Sequence, residues 1–189
     1  ALTRVATKKS VIPLVQALED PERRVRYTAM QALAHLPTAD WFEVAIDSEN
    51  AQRVMRALVA AKHRRELLES RLILNTISRL VSQAPETLED QLDLLRVVGL
   101  FQESITNDPN TKALVSRYLI DRFPSGNEDL RWEQARLLGA LRVSEAIPAL
   151  LDQLESQSDG VRQFHLASAL SLMEGGWYQD HSARLLQWL

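Results

Sequence analysis

The chain has 189 residues, of which 46% are apolar and 25% charged, with a formal net charge of −3 and no cysteine. This composition is sufficient for a continuous hydrophobic core, excludes disulfides and thiolate metal sites within the chain, and provides no general attraction to nucleic acid or anionic membranes. The low aromatic content of 6%, with abundant Leu and Ala, favours helices over strands.

Two features concern targeting. The sequence contains no run of 18 or more apolar residues, so we expect no membrane span. It also begins without an initiator methionine and without the pattern of a signal peptide. We therefore expect the chain to be a fragment of a longer protein.

The first predicted hairpin of helices covers residues 10–36. Ser10 is predicted to cap its first helix. Asp20 is predicted to cap the second helix, because Asp is a favoured N-cap and the following Pro21 is a favoured first helical residue. Pro37 ends the hairpin, since proline cannot continue a helix.

Residues 37–125 are predicted to form degenerate repeats, in which helical hairpins persist but the repeat sequence is lost. Apolar residues at three- and four-residue spacing predict a series of helices. Asp108 and Asn127 are predicted to cap the last of these helices and the helix that follows. The expected ranges of these helices are 38–48, 51–63, 66–83, 86–104 and 110–123.

The clearest pattern lies in the regular repeats of residues 127–173. Leu130-Arg131 returns as Val161-Arg162 after 31 positions (161 − 130), and a helical hairpin that recurs at a fixed period is typical of a stacked repeat array. Residues 177–189 are predicted to form a capping helix that closes the open end of the stack.

Within these patterns the chain resembles HEAT repeats, in the short form also found in phycobilisome-lyase-type proteins. The residues that carry the resemblance are Leu130, Arg131, Ala135, Leu138, Gly139, Leu141, Ala146-Ile147-Pro148-Ala149-Leu150, Val161, Arg162 and Ala169, with Ile12-Pro13-Leu14, Val25, Arg26, Ala29, Ala32 and Leu33 matching the same pattern. The resemblance implies an all-α fold, an α-solenoid of antiparallel hairpins that forms a single repeat domain over residues 1–189. It implies little about function, because such solenoids host many activities.

A shorter set of residues is similar to the HEAT region of large secreted bacterial proteins. It comprises Phe123-Pro124-Ser125-Gly126-Asn127, Glu174-Gly175-Gly176-Trp177 and Leu186-Gln187-Trp188-Leu189. In those proteins a sugar-dehydrogenase-like propeller and a c-type haem module flank the helices, whereas this chain has neither propeller strands nor a haem-attachment motif. The resemblance implies the helical segment of a periplasmic or secreted redox protein; otherwise we expect a cytoplasmic location.

The recurring arginines Arg26, Arg131 and Arg162 are predicted to be structural. Each is expected to follow an inward-facing apolar residue and to reach an acidic residue or a helix end in an adjacent repeat, for example near Asp20 or Asp159. Small residues such as Gly139 and Ala169 are expected to let neighbouring helices approach closely.

The second helix of each hairpin is expected to line the concave side of the stack, where solenoids bind their partners. Tyr27 and Trp132 each follow a recurring arginine, and aromatic residues beside arginines are common anchors of protein interfaces. The alternative for both aromatic residues is partial burial against the neighbouring helix. The predicted recognition surface consists of Arg24, Tyr27, Arg131, Trp132, Arg136 and Phe164.

Two basic clusters indicate nucleic-acid binding as an alternative function, because such clusters can bind phosphate groups. The clusters are Arg53, Arg56, Lys62, Arg64 and Arg65, and Arg23, Arg24 and Arg26. The acids expected to neutralise the first cluster are Asp40, Glu43, Asp47 and Glu49. The acids within residues 86–93 argue against one continuous basic groove, so we expect a solvated helix face rather than a nucleic-acid site.

The sequence contains no recognisable catalytic, cofactor-binding or metal-binding motif. There is no H-E-x-x-H, glycine-rich phosphate loop or nucleophile elbow, and the four histidines are too scattered for a metal motif. We expect no cofactor and no enzymatic activity from the isolated chain. The predicted function is a protein-interaction scaffold or inter-domain spacer, with a segment of a redox protein and a nucleic-acid-binding protein as the alternatives.

Overall fold

The computed structural model is entirely helical in the residues that it describes, which are 7–64 and 70–188. Twelve α-helices and no strand occur in these ranges, as the Leu- and Ala-rich composition predicts. No helix among them is both long enough and apolar enough to cross a membrane. The chain divides into two compact units, Ala1–Leu100 and Phe101–Leu189.

The described part of the first unit forms three helical hairpins. Within them α1 packs on α2, α3 on α4 and α5 on α6, and the second helices α2, α4 and α6 lie side by side in that order. The predicted start of α5 at Glu66 lies outside the described residues. The six helices are α1 Val11–Gln16, α2 Arg23–Ala34, α3 Phe42–Ile46, α4 Ala51–Arg64, α5 Ser70–Gln83 and α6 Leu88–Leu100.

The start of α2 differs from the prediction. Glu22, not Asp20, is its N-cap, because the Glu22 carboxylate accepts a hydrogen bond from the Arg24 N–H at 3.3 Å. The Asp20 side chain instead accepts from the Glu22 N–H at 2.8 Å, which forms a local turn ahead of the helix. Ser10 occupies the predicted N-cap position of α1, but its side chain makes no capping hydrogen bond to that helix.

Helix α4 is the centre of the first unit, because α2, α3 and α6 all pack on it. Its Val54, Ala57 and Leu58 side chains are fully buried. Trp41, at the start of α3, is fully buried too and donates its Nε1–H to the Leu36 carbonyl at 3.4 Å. Burying a large aliphatic side chain such as Leu58 stabilises the fold by about 1.5–3 kcal/mol.

The described part of the second unit repeats the side-by-side arrangement of second helices. α9 packs against α11, and α10 packs against both α11 and α12. The predicted helix over 86–104 is interrupted, since α6 ends at Leu100 and the backbone of Phe101 leaves helical geometry before α7. The helices are α7 Gln102–Thr106, α8 Pro109–Ile120, α9 Glu128–Ala140, α10 Ile147–Ser156, α11 Gly160–Ser171 and α12 Gln179–Trp188.

Two predicted helix caps of the second unit are confirmed. Asp108 accepts a hydrogen bond from the Thr111 N–H at 2.8 Å at the start of α8. Asn127 accepts from the Leu130 N–H at 3.1 Å at the start of α9. Such side chains satisfy N–H groups that have no partner within the helix, which fixes where each helix begins.

Candidate interaction surfaces

The predicted recognition surface is divided between the two units. Arg24 and Tyr27 lie on α2 of the first unit, and the other four residues lie on α9 and α11 of the second. Tyr27 is 59% exposed and Phe164 is 73% exposed, whereas Trp132 is half-buried. The structure therefore provides one candidate surface in each unit.

Two of the recurring arginines hold the loop that precedes their own helix. Arg26 donates from Nη1 to the carbonyls of Asp20 and Pro21 at 2.9 and 2.8 Å. Arg131 donates from Nε to the Ser125 carbonyl at 2.9 Å. Arg26 therefore reaches Asp20, as expected, but through its backbone carbonyl and within its own hairpin, and the expected contact with an adjacent repeat is wrong for Arg131. Both contacts are local because side chains near a helix start lean back toward the loop before it.

Arg162 reaches the neighbouring helix as predicted, although the Val161 before it is exposed rather than inward-facing. Its guanidinium forms an ion pair with Glu128 at the start of α9 and lies 5.8 Å from the centre of the Trp132 ring. In α11 the contact with the preceding loop is made by Gln163 rather than by the recurring arginine. Gln163 donates from Nε2 to the Gln157 carbonyl at 2.8 Å. Helix α11 is therefore held both to its loop and to α9.

Trp132 is part of the contact between α9 and α11. Its Nε1–H donates to the Glu128 carboxylate at 3.2 Å, and its ring meets the His165 ring edge-on with centroids 5.7 Å apart. His165 Nε2 also lies 3.0 Å from the Trp132 carbonyl oxygen. The half-buried position of Trp132 matches the alternative of partial burial against the neighbouring helix.

Two large apolar side chains are exposed on α11. Phe164 and Val161, which is 80% exposed, are three positions apart and so share a face of the helix. Arg136 of α9 donates two hydrogen bonds to Glu133 at 2.9 and 2.6 Å, and these bonds raise the pKa of Arg136. A partner on this surface would therefore meet apolar side chains and an arginine that is already paired.

A groove of about 480 Å³ crosses α2, α4 and α6 in the first unit. Its floor is apolar, and its rim carries Tyr27 and Arg23 on α2 and charged residues on α6. Met55 and Val97 in the floor are buried. The lining residues are Arg23, Arg26, Tyr27, Met30, Met55, Arg56, Val59, Glu89, Asp93, Arg96 and Val97.

The arginines of the groove differ in how they are paired. The Arg96 guanidinium lies 2.7 Å from the Asp93 carboxylate. Arg56 donates from Nη1 to the Leu18 carbonyl at 2.5 Å, and Arg26 also donates to carbonyls. The Arg23 side chain makes no hydrogen bond or ion pair with any described residue. Three of the four arginines therefore have no carboxylate partner among the described residues.

The charge of Arg56 is poorly compensated within the folded chain. Burial of its guanidinium and the nearby charge of Arg26 lower the pKa of Arg56. Asp93, Glu89 and Asp90 act in the opposite direction but do not offset these effects. The groove is therefore a place where an additional negative charge would be favourable.

The predicted neutralisation of the first basic cluster is wrong for Arg53. This arginine pairs with Glu19 at 2.5 Å rather than with the acids of residues 40–49. The Arg64 side chain and Arg65 lie outside the described residues. The packing of the helices brings Arg53 of α4 close to Glu19, which is distant in sequence, and this proximity determines the ion pair.

Sequence reasoning identified Tyr27 and the basic residues of the groove but not its other wall. Glu89, Asp93 and Arg96 share a face of α6 at three- and four-residue spacing, which is a signal that a helix face is exposed. The spacing does not tell which neighbouring helix that face adjoins. For that reason the groove was not predicted.

Within the described ranges, no group of three or more His, Asp or Glu side chains is arranged to hold a metal ion. No protein-family model matches the chain, and no curated protein matches it significantly. Function is therefore inferred from the two surfaces alone.

Proposed function

We propose that this chain is a non-enzymatic helical-repeat scaffold that binds another protein through the outward faces of its second helices. The proposal includes a HEAT-like α-solenoid over residues 1–189 in which α12 closes one end. The packing of α2, α4 and α6 in the first unit, and of α9 and α11 in the second, supports it. In a solenoid, consecutive hairpins share their apolar sides in this way.

The observation that carries the proposal is the exposure of large apolar side chains on these second helices. Tyr27 lies at the rim of the first-unit groove, and Val161 and Phe164 lie on one face of α11. Single exposed apolar residues are ordinary on protein surfaces. Aromatic residues close to arginines, however, are enriched at the centres of protein interfaces.

Selection of short random peptides displayed on phage, with the full chain as bait, tests the proposal. We expect enriched peptides whose affinity falls about tenfold or more, or about 1.4 kcal/mol, in the Tyr27→Ala or the Phe164→Ala variant. The matched control is Tyr178→Ala, which removes an aromatic side chain that is 69% exposed but lies outside the second helices. Enrichment that neither variant affects would contradict the proposal, and an absence of enriched peptides would favour the inter-domain spacer.

A further inference from the structure

We infer that the groove across α2, α4 and α6 is a docking site for an acidic protein segment that inserts an apolar side chain between the helices. The inference rests on the proposed function and adds the chemical class of the partner. It depends on two properties of the groove, namely its apolar floor and the arginines that line it without a carboxylate partner.

The floor of the groove suits an apolar side chain. Met30 and Val59 are half-buried there, above the buried Met55, and Tyr27 borders them at the rim. The volume of about 480 Å³ lies within the range of about 300–1,000 Å³ that is typical of ligand sites. Methionine side chains are flexible and polarisable, so they adapt to partner side chains of different shape.

The side of the groove that α2 and α4 form suits carboxylates. Arg23, Arg26 and Arg56 have no carboxylate partner among the described residues, and the Asp93 charge is already taken up by Arg96. An arginine side chain has several N–H donors. In the described part of the chain, Arg56 uses only Nη1, which donates to the Leu18 carbonyl, so its other donors remain for a carboxylate. A carboxylate placed between these arginines would accept charge-assisted hydrogen bonds and reduce their mutual repulsion.

A nucleic acid fits the same groove less well. Glu89 and Asp93 form the α6 wall, and Asp90 lies at the neighbouring end of the helix. These carboxylates would repel the closely spaced phosphates of a strand that lay along the groove. A peptide, in contrast, can place its acidic side chains on the α2 side only. Charge complementarity therefore favours an acidic protein segment.

Arg23 and Arg24 provide a matched pair of variants. The two residues are adjacent on α2 and carry the same charge, and neither side chain makes a contact that Arg→Glu would break among the described residues. Arg23 lines the groove, whereas Arg24, although it belongs to the recognition surface predicted from the sequence, is not among the described residues that line the groove. Glutamate in the first turn of a helix is favourable, so we expect both variants to retain the fold.

In the test, random peptides displayed on phage are selected with the full chain as bait. The affinity of the enriched peptides is then measured by fluorescence anisotropy. We expect peptides that combine Asp or Glu with one large apolar residue. Arg23→Glu is expected to weaken them by about tenfold or more, and Arg24→Glu by about threefold or less. Duplex and single-stranded DNA serve as additional probes, and we expect neither to bind.

Several outcomes would overturn the inference. If Arg23→Glu lowers the affinity of no enriched peptide, the groove does not select acidic segments. The same conclusion follows if the peptides whose affinity it lowers are uncharged or basic. DNA binding that Arg23→Glu abolishes would replace the inferred partner with a nucleic acid. If Arg23→Glu has no effect but the Tyr27→Ala or Phe164→Ala variant still lowers the affinity of the enriched peptides, only the inference fails. If none of the substitutions at Arg23, Tyr27 and Phe164 lowers the affinity of the enriched peptides, the proposed function fails as well.

Discussion

Gly139 of α9 lies against the main chain of Ala169 in α11. A Cβ atom on Gly139 would come within 2.8 Å of both the Cα and the carbonyl oxygen of Ala169, and neither of these backbone atoms can rotate away. The absence of a side chain at Gly139 therefore sets the distance between the two helices. At that distance, the Trp132 ring of α9 meets His165 of α11.

Gly139→Ala is expected to destabilise the protein. The added methyl group must push α9 and α11 apart, at a cost of about 1–3 kcal/mol that exceeds the gain in helix propensity of about 1 kcal/mol. Urea denaturation of the full chain measures the change. The control is Gly160→Ala, where a Cβ would meet nothing within 4 Å, and we expect it to be neutral or slightly stabilising. Equal stability of the two variants would refute the close contact.

Asp159→Ala is expected to weaken the start of α11. The Asp159 carboxylate accepts hydrogen bonds from the N–H groups of Val161 and Arg162 at 2.9 and 3.0 Å. Loss of such an N-cap costs about 0.5–2 kcal/mol. Asp159→Asn keeps an acceptor in place and should retain most of this stability. Thermal denaturation compares the variants, and an alanine variant as stable as the asparagine variant would argue against capping.

Arg184 joins α12 to α10 and makes this contact sensitive to acid. It donates to Glu155 at 2.8 Å and to Asp152 at 2.6 Å. The hydrogen bond from Arg184 and its positive charge lower the pKa of the Glu155 carboxyl below its usual 4.5. Because the folded pKa lies below the unfolded one, this stabilisation is complete above about pH 4.5 and is lost as the pH falls through the lowered pKa.

The expected result is a difference in Tm between the wild type and Arg184→Gln that is present at neutral pH and shrinks as the pH falls below about 4.5. Thermal unfolding across a pH series measures it. Arg117→Gln is the control, because Arg117 of α8 and Asp121, directly after that helix, form an exposed pair at 3.7 Å, and such pairs contribute little. A difference that stays constant down to acidic pH would rule out a contribution from Glu155.

Two tryptophans are expected to respond differently to replacement by alanine. Trp41 is fully buried, so Trp41→Ala should cost about 3–5 kcal/mol. Trp132 is half-buried at the edge of the α9–α11 contact, so Trp132→Ala should cost less and leave the helix content unchanged. Circular dichroism combined with urea denaturation measures both effects. A loss in Trp132→Ala as large as that in Trp41→Ala would assign Trp132 to the core.

The sequence alone was sufficient for the helical class and for most helix positions. Helix α4 spans Ala51–Arg64 where 51–63 was predicted, and Asn127 caps α9 as expected. These features depend on apolar spacing and on side chains within one turn of each other, which a linear sequence contains. The N-cap of α2 was misplaced by two residues because Asp20 and Glu22 compete for neighbouring N–H groups.

Tertiary structure alone decided which charges are paired. Arg53 and Arg56 lie three positions apart on α4, yet Arg53 meets the Glu19 carboxylate and Arg56 meets only the Leu18 carbonyl. Their partners come from a different hairpin, so spacing along α4 contains no information about them. The sequence by itself determined that amphipathic helices would form and pack in pairs. Only the packing of three such helices determined that a groove lies between them and that its arginines lack carboxylate partners, because the energy of an ion pair depends on distances in space.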